Sequence, residues 1–145
     1  MRKIEKIFLI ILKYLVLFII DGWLYIIIEL LFRGYSNISM FVLGGLCGVI
    51  CGGLNNWYPW ELSLIKQMLI SSVIITSLEY FTGYIINIKL QWNVWDYSEL
   101  PLNLNGQICL LFSIAWIFLS LVAIIFDDFL RYKLFNEEKP HYKLF

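Results

Sequence analysis

The sequence predicts an all-α integral membrane protein, a bundle of four transmembrane helices in a single domain. Of its 145 residues, 61% are hydrophobic and 15% are charged, whereas soluble domains average about 45–50% apolar and ~25% charged residues. Four stretches are apolar and close to the ~20 helical residues that cross the hydrocarbon of a bilayer. Lipid offers no partner to free backbone groups, so each stretch should be a helix. These stretches comprise residues 7–32, 37–54, 62–88 and 106–130, and a tail covers residues 131–145.

The first of these stretches follows basic residues, in "MRKIEKIFLIILKYLVLF". The apolar run is too long for the core of a signal peptide, and no A-x-A-like cleavage site follows it. We therefore expect an uncleaved first transmembrane helix.

The positions of the positive charges predict the topology. An even number of spans places both termini on one side of the membrane. Basic residues are frequent near the termini, whereas only Arg33 and Lys89 lie in or beside the first and third connections. The positive-inside rule then predicts cytoplasmic termini in the cytoplasmic membrane, with residues 95–98 ("WDYS") outside. Tryptophans near the predicted interfaces fit this topology: Trp57, Trp60, Trp92 and Trp95.

The second span contains a glycine repeat. Gly44, Gly48 and Gly52 recur every four residues, which forms a groove where another helix can approach closely. This spacing predicts helix packing, within one subunit or between subunits, rather than a substrate groove. No GxxxxGK[ST] motif is present, so the chain hydrolyses no nucleotide by that route.

Carboxylates inside the spans are the strongest functional signal. Asp21 and Glu79 lie well inside their spans, where a charge costs at least about 2.5 kcal/mol. On the third span, Ser72, Thr76, Glu79 and Gly83 fall at i, i+4, i+7 and i+11, on one helix face. Two interpretations stay open: a site for a cation, a proton or a polar substrate group, or hydrogen bonds that hold the helices together.

Charged residues close to the membrane side that holds both termini predict an ion pair. Lys13 should lie at a depth similar to that of Asp127 and Asp128 at the end of the fourth span. We expect Lys13 to pair with one of these two acids, which would also offset negative charge at a helix C-terminus. Glu29 and Arg33, four residues apart on one helix, should form a local pair.

The remaining polar residues give no catalytic or metal-binding pattern. In the connection "WNVWDYSELPLNLNGQ", Asp96 and Ser98 resemble turn formers, and Asn105 fits the N-cap of the fourth span. No nucleophile and base are paired there. The cysteines and the single histidine lack ligand spacing, and eleven basic residues balance eleven acidic ones. We expect no metal site, no cofactor and no nucleic-acid partner.

Three segments of the chain resemble a known family. They are "LEYFTGYI", "WNVWDYSELPLNLNGQICLLFS" and "DDFLRYKLFNEEKPHYKLF", and they are similar to bacterial membrane proteins described as putative ABC-transporter type IV, or CmpB-like. The resemblance implies a transporter permease that works with a separate ATPase subunit or another energy source. A pore would need a homo-oligomer, because four helices leave little room. The motif residues here are Glu79, Thr82, Gly83, Trp95, Asp96, Tyr97, Ser98, Asn103, Gly106 and Cys109.

These observations lead to one function and two alternatives. We expect a small permease or channel-like component in the lipid bilayer, with a polar path lined by Glu79, Thr76 and Asp21, and Asp96 at its outer mouth. The resemblance adds Thr82, Tyr97 and Asn103 to this candidate site. One alternative is a structural or regulatory membrane protein whose acids hold the bundle together. The other is an enzyme acting on lipid, which requires Asp96 and Glu79 to converge in one cavity.

Overall fold

A computed structural model describes residues 2–58 and 62–145 of the chain. Four helices in it are long and apolar enough to cross a membrane: Lys3–Arg33, Ile38–Trp57, Leu64–Lys89 and Leu110–Phe135. The predicted all-α membrane bundle of four helices is therefore confirmed. Trp60, predicted at an interface, lies outside the described residues.

The first helix, α1 (Lys3–Arg33), has 31 residues and a length of roughly 46 Å, which exceeds the ~30 Å of bilayer hydrocarbon. It begins four residues before the predicted span, because the Arg2 backbone N–H donates to Glu5 Oε2 over 3.0 Å and so caps the first turn. Residues 3–12 are exposed on every side. The helix ends at Arg33, and Gly34 caps it, because its left-handed backbone (φ 77°) lets its N–H bond the Leu30 carbonyl.

The second span consists of α2 (Ile38–Gly52) and the short α3 (Leu54–Trp57). Asn37 caps α2, since its side chain accepts from the Ser39 N–H over 2.9 Å. Glycines bring α1 and α2 together at very short range. A Cβ at Gly45 would lie 2.7 Å from the Phe18 ring, and one at Gly22 would lie 2.8 Å from Phe41.

The third span is α4 (Leu64–Gly83), which continues into a π-helical segment, Tyr84–Lys89. Ser63 caps it by accepting from the Lys66 N–H. The fourth span, α5 (Leu110–Phe135), packs against α4 through hydroxyl groups. Ser72 Oγ donates to the Ser113 carbonyl over 2.6 Å.

The connection before α5 differs from the prediction that the helix starts at residue 106 with Asn105 as N-cap. Two short antiparallel strands, β1 (Asn103–Leu104) and β2 (Ile108–Cys109), form a hairpin there. Asn105 (φ 52°) and Gly106 (φ 68°) are the left-handed residues of its turn, and Cys109 is the N-cap residue of α5. Asparagine and glycine tolerate this backbone conformation better than other residues, which favours the turn over a helix start.

Two apolar clusters form the core, and they define the two ends of the bundle. At the loop end, which holds residues 90–109, the buried members are Met40, Leu43, Ile86, Val94 and Trp95. At the terminal end, which holds the C-terminal tail, they are Cys51, Leu64, Ile75 and Ile124.

Candidate functional site

The buried polar groups form two clusters rather than one path around a single site. The loop-end cluster is centred on Glu79, with Tyr97 and Trp116 as its partners. The terminal-end cluster contains Asp21 and groups near the end of α5. Its members are Asp21, Asn55, Gln67, Ser71, Asp127, Asp128 and Arg131.

In the loop-end cluster, Glu79 is only 2% exposed and both of its oxygens accept hydrogen bonds. Tyr97 Oη donates to Oε1 over 2.9 Å, and Trp116 Nε1 donates to Oε2 over 3.1 Å. Both donors are neutral. Within the described parts of the chain, no ion pair includes Glu79. The carboxyl group thus joins α4, α5 and the loop without a basic counter-charge.

Aromatic neighbours hold both donors in place. The Tyr97 ring stacks on Phe112 at 4.7 Å between centroids, and the Trp116 ring lies 6.2 Å from that of Tyr25. Burial raises the pKa of the Tyr97 hydroxyl above its ordinary value, and the Glu79 carboxyl adds to the shift. Tyr97 therefore remains a hydrogen-bond donor at neutral pH.

A network of side-chain amides attaches the loop of residues 90–109 to the π-helical segment that follows Glu79 in the chain. Asn87 Nδ2 donates to Gln107 Oε1 over 2.9 Å, and the Val94 N–H donates to Asn87 Oδ1 over 2.8 Å. Trp95 Nε1 donates to the Gln107 carbonyl over 3.0 Å. Gly83 lies against Gln107 and Trp95, where a side chain would not fit.

Asp96 and Asn103, two of the predicted site residues, build the turn of the loop. Asp96 Oδ1 accepts from the Ser98 N–H over 2.9 Å, the local bond expected of a turn former. This bond, with one to the Ser98 side chain, lowers the pKa of the Asp96 carboxyl. Asn103 Oδ1 accepts from the Gly106 N–H over 3.0 Å. Asp96 is exposed and shares no partner with Glu79.

The two predicted threonines occupy different surroundings. Thr76 Oγ1 donates to Ser113 Oγ over 3.2 Å, in the contact between α4 and α5. Thr82 instead lines an apolar groove on the outside of the bundle, beside Val42 and Trp92.

The terminal-end cluster has an acid pair at its centre. Asp127 is fully buried, and Arg131 Nε donates to its Oδ2 over 2.5 Å. The carboxyl group of Asp21 on α1 lies within hydrogen-bonding reach of Asp127. The glycine repeat makes this approach possible: Gly48 lies against Asp21, and Gly52 lies against Asp127. Gly44, the first member, lies against Tyr25.

Asp128 lies beside this pair and has neutral partners only. Its Oδ2 accepts from Asn55 Nδ2 over 2.6 Å and from Tyr142 Oη over 2.8 Å. Gln67 Nε2 in turn donates to Asn55 Oδ1 over 2.9 Å. One network of side-chain hydrogen bonds therefore connects α3, α4, α5 and the tail.

Lys13 has a different partner from the expected Asp127 or Asp128. Its Nζ lies 2.5 Å from Glu137 Oε1. Arg131 is one turn from Asp127 on the same helix and so is the nearer cation. Asn136 (φ 52°) ends α5 and turns the chain back, which brings Glu137 to α1. The expected pair of Glu29 and Arg33 is present.

Several members of both clusters were not among the predicted site residues: Gln67, Ser71, Asn87, Gln107, Trp116 and Arg131. Each is a polar or amphipathic residue in or next to an apolar stretch, which is the signal that identified Glu79. Their partners lie on other helices, and a single sequence does not specify the rotation of one helix against another.

Comparison with known proteins places the chain in a family. No curated protein and no solved structure matches it. The profile of one family matches residues 6–143, nearly the whole chain. The chain is a multi-pass membrane protein that belongs to the family described as putative ABC-transporter type IV.

Proposed function

We propose that the chain is a small permease or channel-like transport component whose loop-end cluster receives a proton or a small cation at Glu79. The observation that carries this proposal is a buried carboxyl group with two neutral donors and no basic partner among the described residues. A carboxylate in a low-dielectric interior needs a compensating positive charge. A proton or a small cation is the simplest species that supplies it.

Further polar groups on α4 support a path that continues from Glu79. Thr76 lies one turn and Ser72 two turns before Glu79, and both contact Ser113 on α5. Gln67 and Ser71 lie further toward the terminal end. Polar side chains inside a membrane bundle commonly mark an ion or proton pathway. The series would connect the two clusters along one helix contact.

The location and partners of the transport component follow from the sequence and the family. We propose that the termini face the cytoplasm across the cytoplasmic membrane, because basic residues concentrate near both ends of the chain. The family description supports a separate ATPase subunit as partner. A homo-oligomer would supply the width that a pore needs.

A second candidate is a structural or regulatory membrane protein, and one observation favours it. Both oxygens of Glu79 already accept hydrogen bonds, from the loop and from α5. In this case the carboxyl group only holds three segments together. The lipid-enzyme alternative gains no support, because Asp96 is exposed and bound to Ser98 whereas Glu79 is buried.

A flux assay tests the proposal. The full chain, alone and with a co-purified ATPase partner, is reconstituted into liposomes, and uptake of protons and of Na⁺ is followed after a gradient is imposed. We expect Glu79→Gln to lower the flux at least ~10-fold, because a neutral amide needs no compensating charge. Glu99→Gln, the same change at an exposed loop position, should leave the flux unchanged.

The same assay separates the two candidates. If Glu79→Gln keeps the wild-type flux while its circular dichroism and melting temperature match the wild type, the transport function at Glu79 is contradicted. If the wild-type chain carries no flux in either preparation and Glu79→Gln lowers the melting temperature, the structural candidate is supported instead.

A further inference from the structure

The terminal-end cluster contains oxygen atoms that are fully buried but have no hydrogen-bond partner. Four such atoms are Asp21 Oδ2, Asp127 Oδ1, Gln67 Oε1 and Ser71 Oγ. Their residues are between 0% and 6% exposed. Buried polar atoms in folded proteins almost always have a partner, so four acceptors in one cluster indicate a bound species.

These four oxygens come from three helices, and the residues of three of them lie against α2. On α2, Gly48 lies against the Asp21 carboxyl and Gly52 lies against that of Asp127. Cys51, between the two glycines, has its thiol beside the Ser71 hydroxyl and near both acids. Cys51 therefore links Ser71 of α4 to the neighbourhood of the acid pair.

Gln67 lies one turn before Ser71 on α4. Its side-chain nitrogen is held by Asn55 Oδ1 and the Leu62 carbonyl, at 2.9 and 3.0 Å. The opposite atom, Oε1, is left free of donors. Asn55 also contacts Asp128 of α5. The amide group is thus fixed at the edge of the cluster with an acceptor available.

The charges of the cluster are unbalanced. When ionised, three carboxylates (Asp21, Asp127 and Asp128) face one guanidinium, that of Arg131, which leaves two negative charges. Lys13 does not compensate them, because it pairs with Glu137. Two ionised carboxylates within hydrogen-bonding reach of each other repel, and either a shared proton or a bound cation removes that repulsion.

The ligand set limits which cation fits. The four atoms that could bind a cation are all oxygens, and hard cations prefer oxygen ligands. The described residues contain no group of three or more His, Cys, Asp or Glu side chains that could hold a metal ion. Ca²⁺ requires six to eight oxygen ligands and Mg²⁺ a near-ideal octahedron, so two carboxylates with neutral oxygens suit a monovalent ion better. The terminal nitrogens of Arg131 also lack acceptors, and water on a bound ion would supply them.

We propose that Asp21, Asp127, Gln67 and Ser71 form a binding site for one Na⁺ ion at the terminal end of the bundle. The site is separate from the loop-end cluster, and ion binding here does not depend on the flux proposed for Glu79. The close approach of α1 and α5 to the glycines of α2 would then be stabilised by the ion that both acids share.

Binding is tested on the full chain in detergent, without any transport assay. Binding of ²²Na⁺ at equilibrium and the melting temperature by tryptophan fluorescence are measured in NaCl and in choline chloride of equal ionic strength. We expect saturable binding of one ion per chain and a rise of about 3 °C or more at saturation. Absence of both effects in the wild type overturns the proposal. A melting temperature that responds to pH but not to Na⁺ overturns it as well and assigns the missing charge to a proton.

Two variants test the ligands. Asp21→Asn should weaken Na⁺ binding at least ~10-fold without lowering the melting temperature in choline chloride, because it removes one uncompensated buried charge. Ser71→Ala should weaken Na⁺ binding about 3- to 10-fold. This variant tests the ligand assignment if Asp21→Asn does not fold. Glu99→Gln, an exposed acid, is the matched control. Wild-type affinity in both variants would contradict the assignment.

Discussion

Trp116 on α5 donates its indole N–H to the carboxyl group of Glu79 on α4 over 3.1 Å, across 37 positions of the chain. This bond and the one from Tyr97 leave no oxygen of Glu79 without a donor. The carboxyl group is therefore the point where two transmembrane helices and the loop meet. A hydrogen bond to a charged group contributes about 1.5–3 kcal/mol, and removing its donor leaves a buried acceptor unpaired.

We expect Trp116→Phe to lower the free energy of unfolding by at least about 1.5–3 kcal/mol, because the N–H donor is lost and the smaller phenyl ring also leaves part of the indole volume unfilled. Reversible unfolding in mixed detergent measures the change. Trp23→Phe is the matched control, since the Trp23 side chain is 59% exposed and its substitution should cost within about 0.5 kcal/mol. Equal losses in the two variants would show that the N–H of Trp116 contributes nothing specific.

Tyr97 should make the stability of the protein depend on pH in the alkaline range. The pKa of its hydroxyl in the folded protein is raised, first by burial and then by Glu79, above an unfolded value of about 10. The folded state then holds the proton more tightly, so this contribution is complete below about pH 10 and decreases as the pH rises further.

The comparison of wild type with Tyr97→Phe isolates this effect. We expect the difference in unfolding free energy to be constant from about pH 7 to 9 and to become smaller above about pH 10. Unfolding curves in detergent at each pH measure it. A difference that increases above pH 10 would reverse the sign and contradict the proton linkage.

Composition and apolar length were sufficient to predict the four helices, because lipid allows few other structures. The separation of Asp21 and Glu79 into two different clusters was not predictable in the same way. The first three turns of α1 are exposed on all sides, so Asp21 lies further toward the terminal end than a span starting at residue 7 would place it. The depth of one helix against another depends on contacts that a helix pattern does not encode.

The loop before α5 was also only partly predictable from its sequence. Asp96 as a turn former was predictable, since aspartate commonly bonds the backbone two residues ahead. The hairpin that delays α5 to Leu110 was not, because Asn105 fits both a helix N-cap and a left-handed turn. Contacts with the rest of the protein decide between them: Asn105 Nδ2 donates to Tyr80 Oη over 3.0 Å.

Gly106 should be the more sensitive of two left-handed glycines. Gly34 has φ 77° and nothing within 4 Å of an added Cβ, whereas at Gly106 (φ 68°) that Cβ would lie 2.7 Å from Asp96 Oδ1. We expect Gly34→Ala to cost about 1 kcal/mol for backbone strain alone, and Gly106→Ala about 2 kcal/mol because it also displaces the Asp96 carboxylate.

Unfolding in detergent measures both costs, and hydrogen exchange at the Ser98 amide reports the local effect. Exchange should accelerate in Gly106→Ala and stay unchanged in Gly34→Ala. Equal costs with a protected Ser98 amide in both variants would mean that the contact with Asp96 is unimportant.

Lys13 and Glu137 should hold the C-terminal tail against α1. Their charged atoms are 2.5 Å apart and their side chains are 18% and 24% exposed, so the pair is partly shielded from solvent. The tail is attached further along by Tyr142, bound to Asp128, and by the Lys143 carbonyl, which accepts from the Leu64 N–H over 2.7 Å. Charge reversal at one member should therefore loosen the tail rather than unfold the bundle.

We expect Lys13→Glu to increase cleavage of the tail by trypsin after Lys143 several-fold, since two like charges would then face each other. Combining Lys13→Glu with Glu137→Lys should restore slow cleavage after Lys143, the site common to all variants, because the pair is rebuilt with opposite polarity. Combining it with Asp128→Lys should not, since Asp128 bonds Asn55 and Tyr142 instead. Rescue by the Asp128 variant and not by the Glu137 variant would instead identify Asp128 as the partner of Lys13.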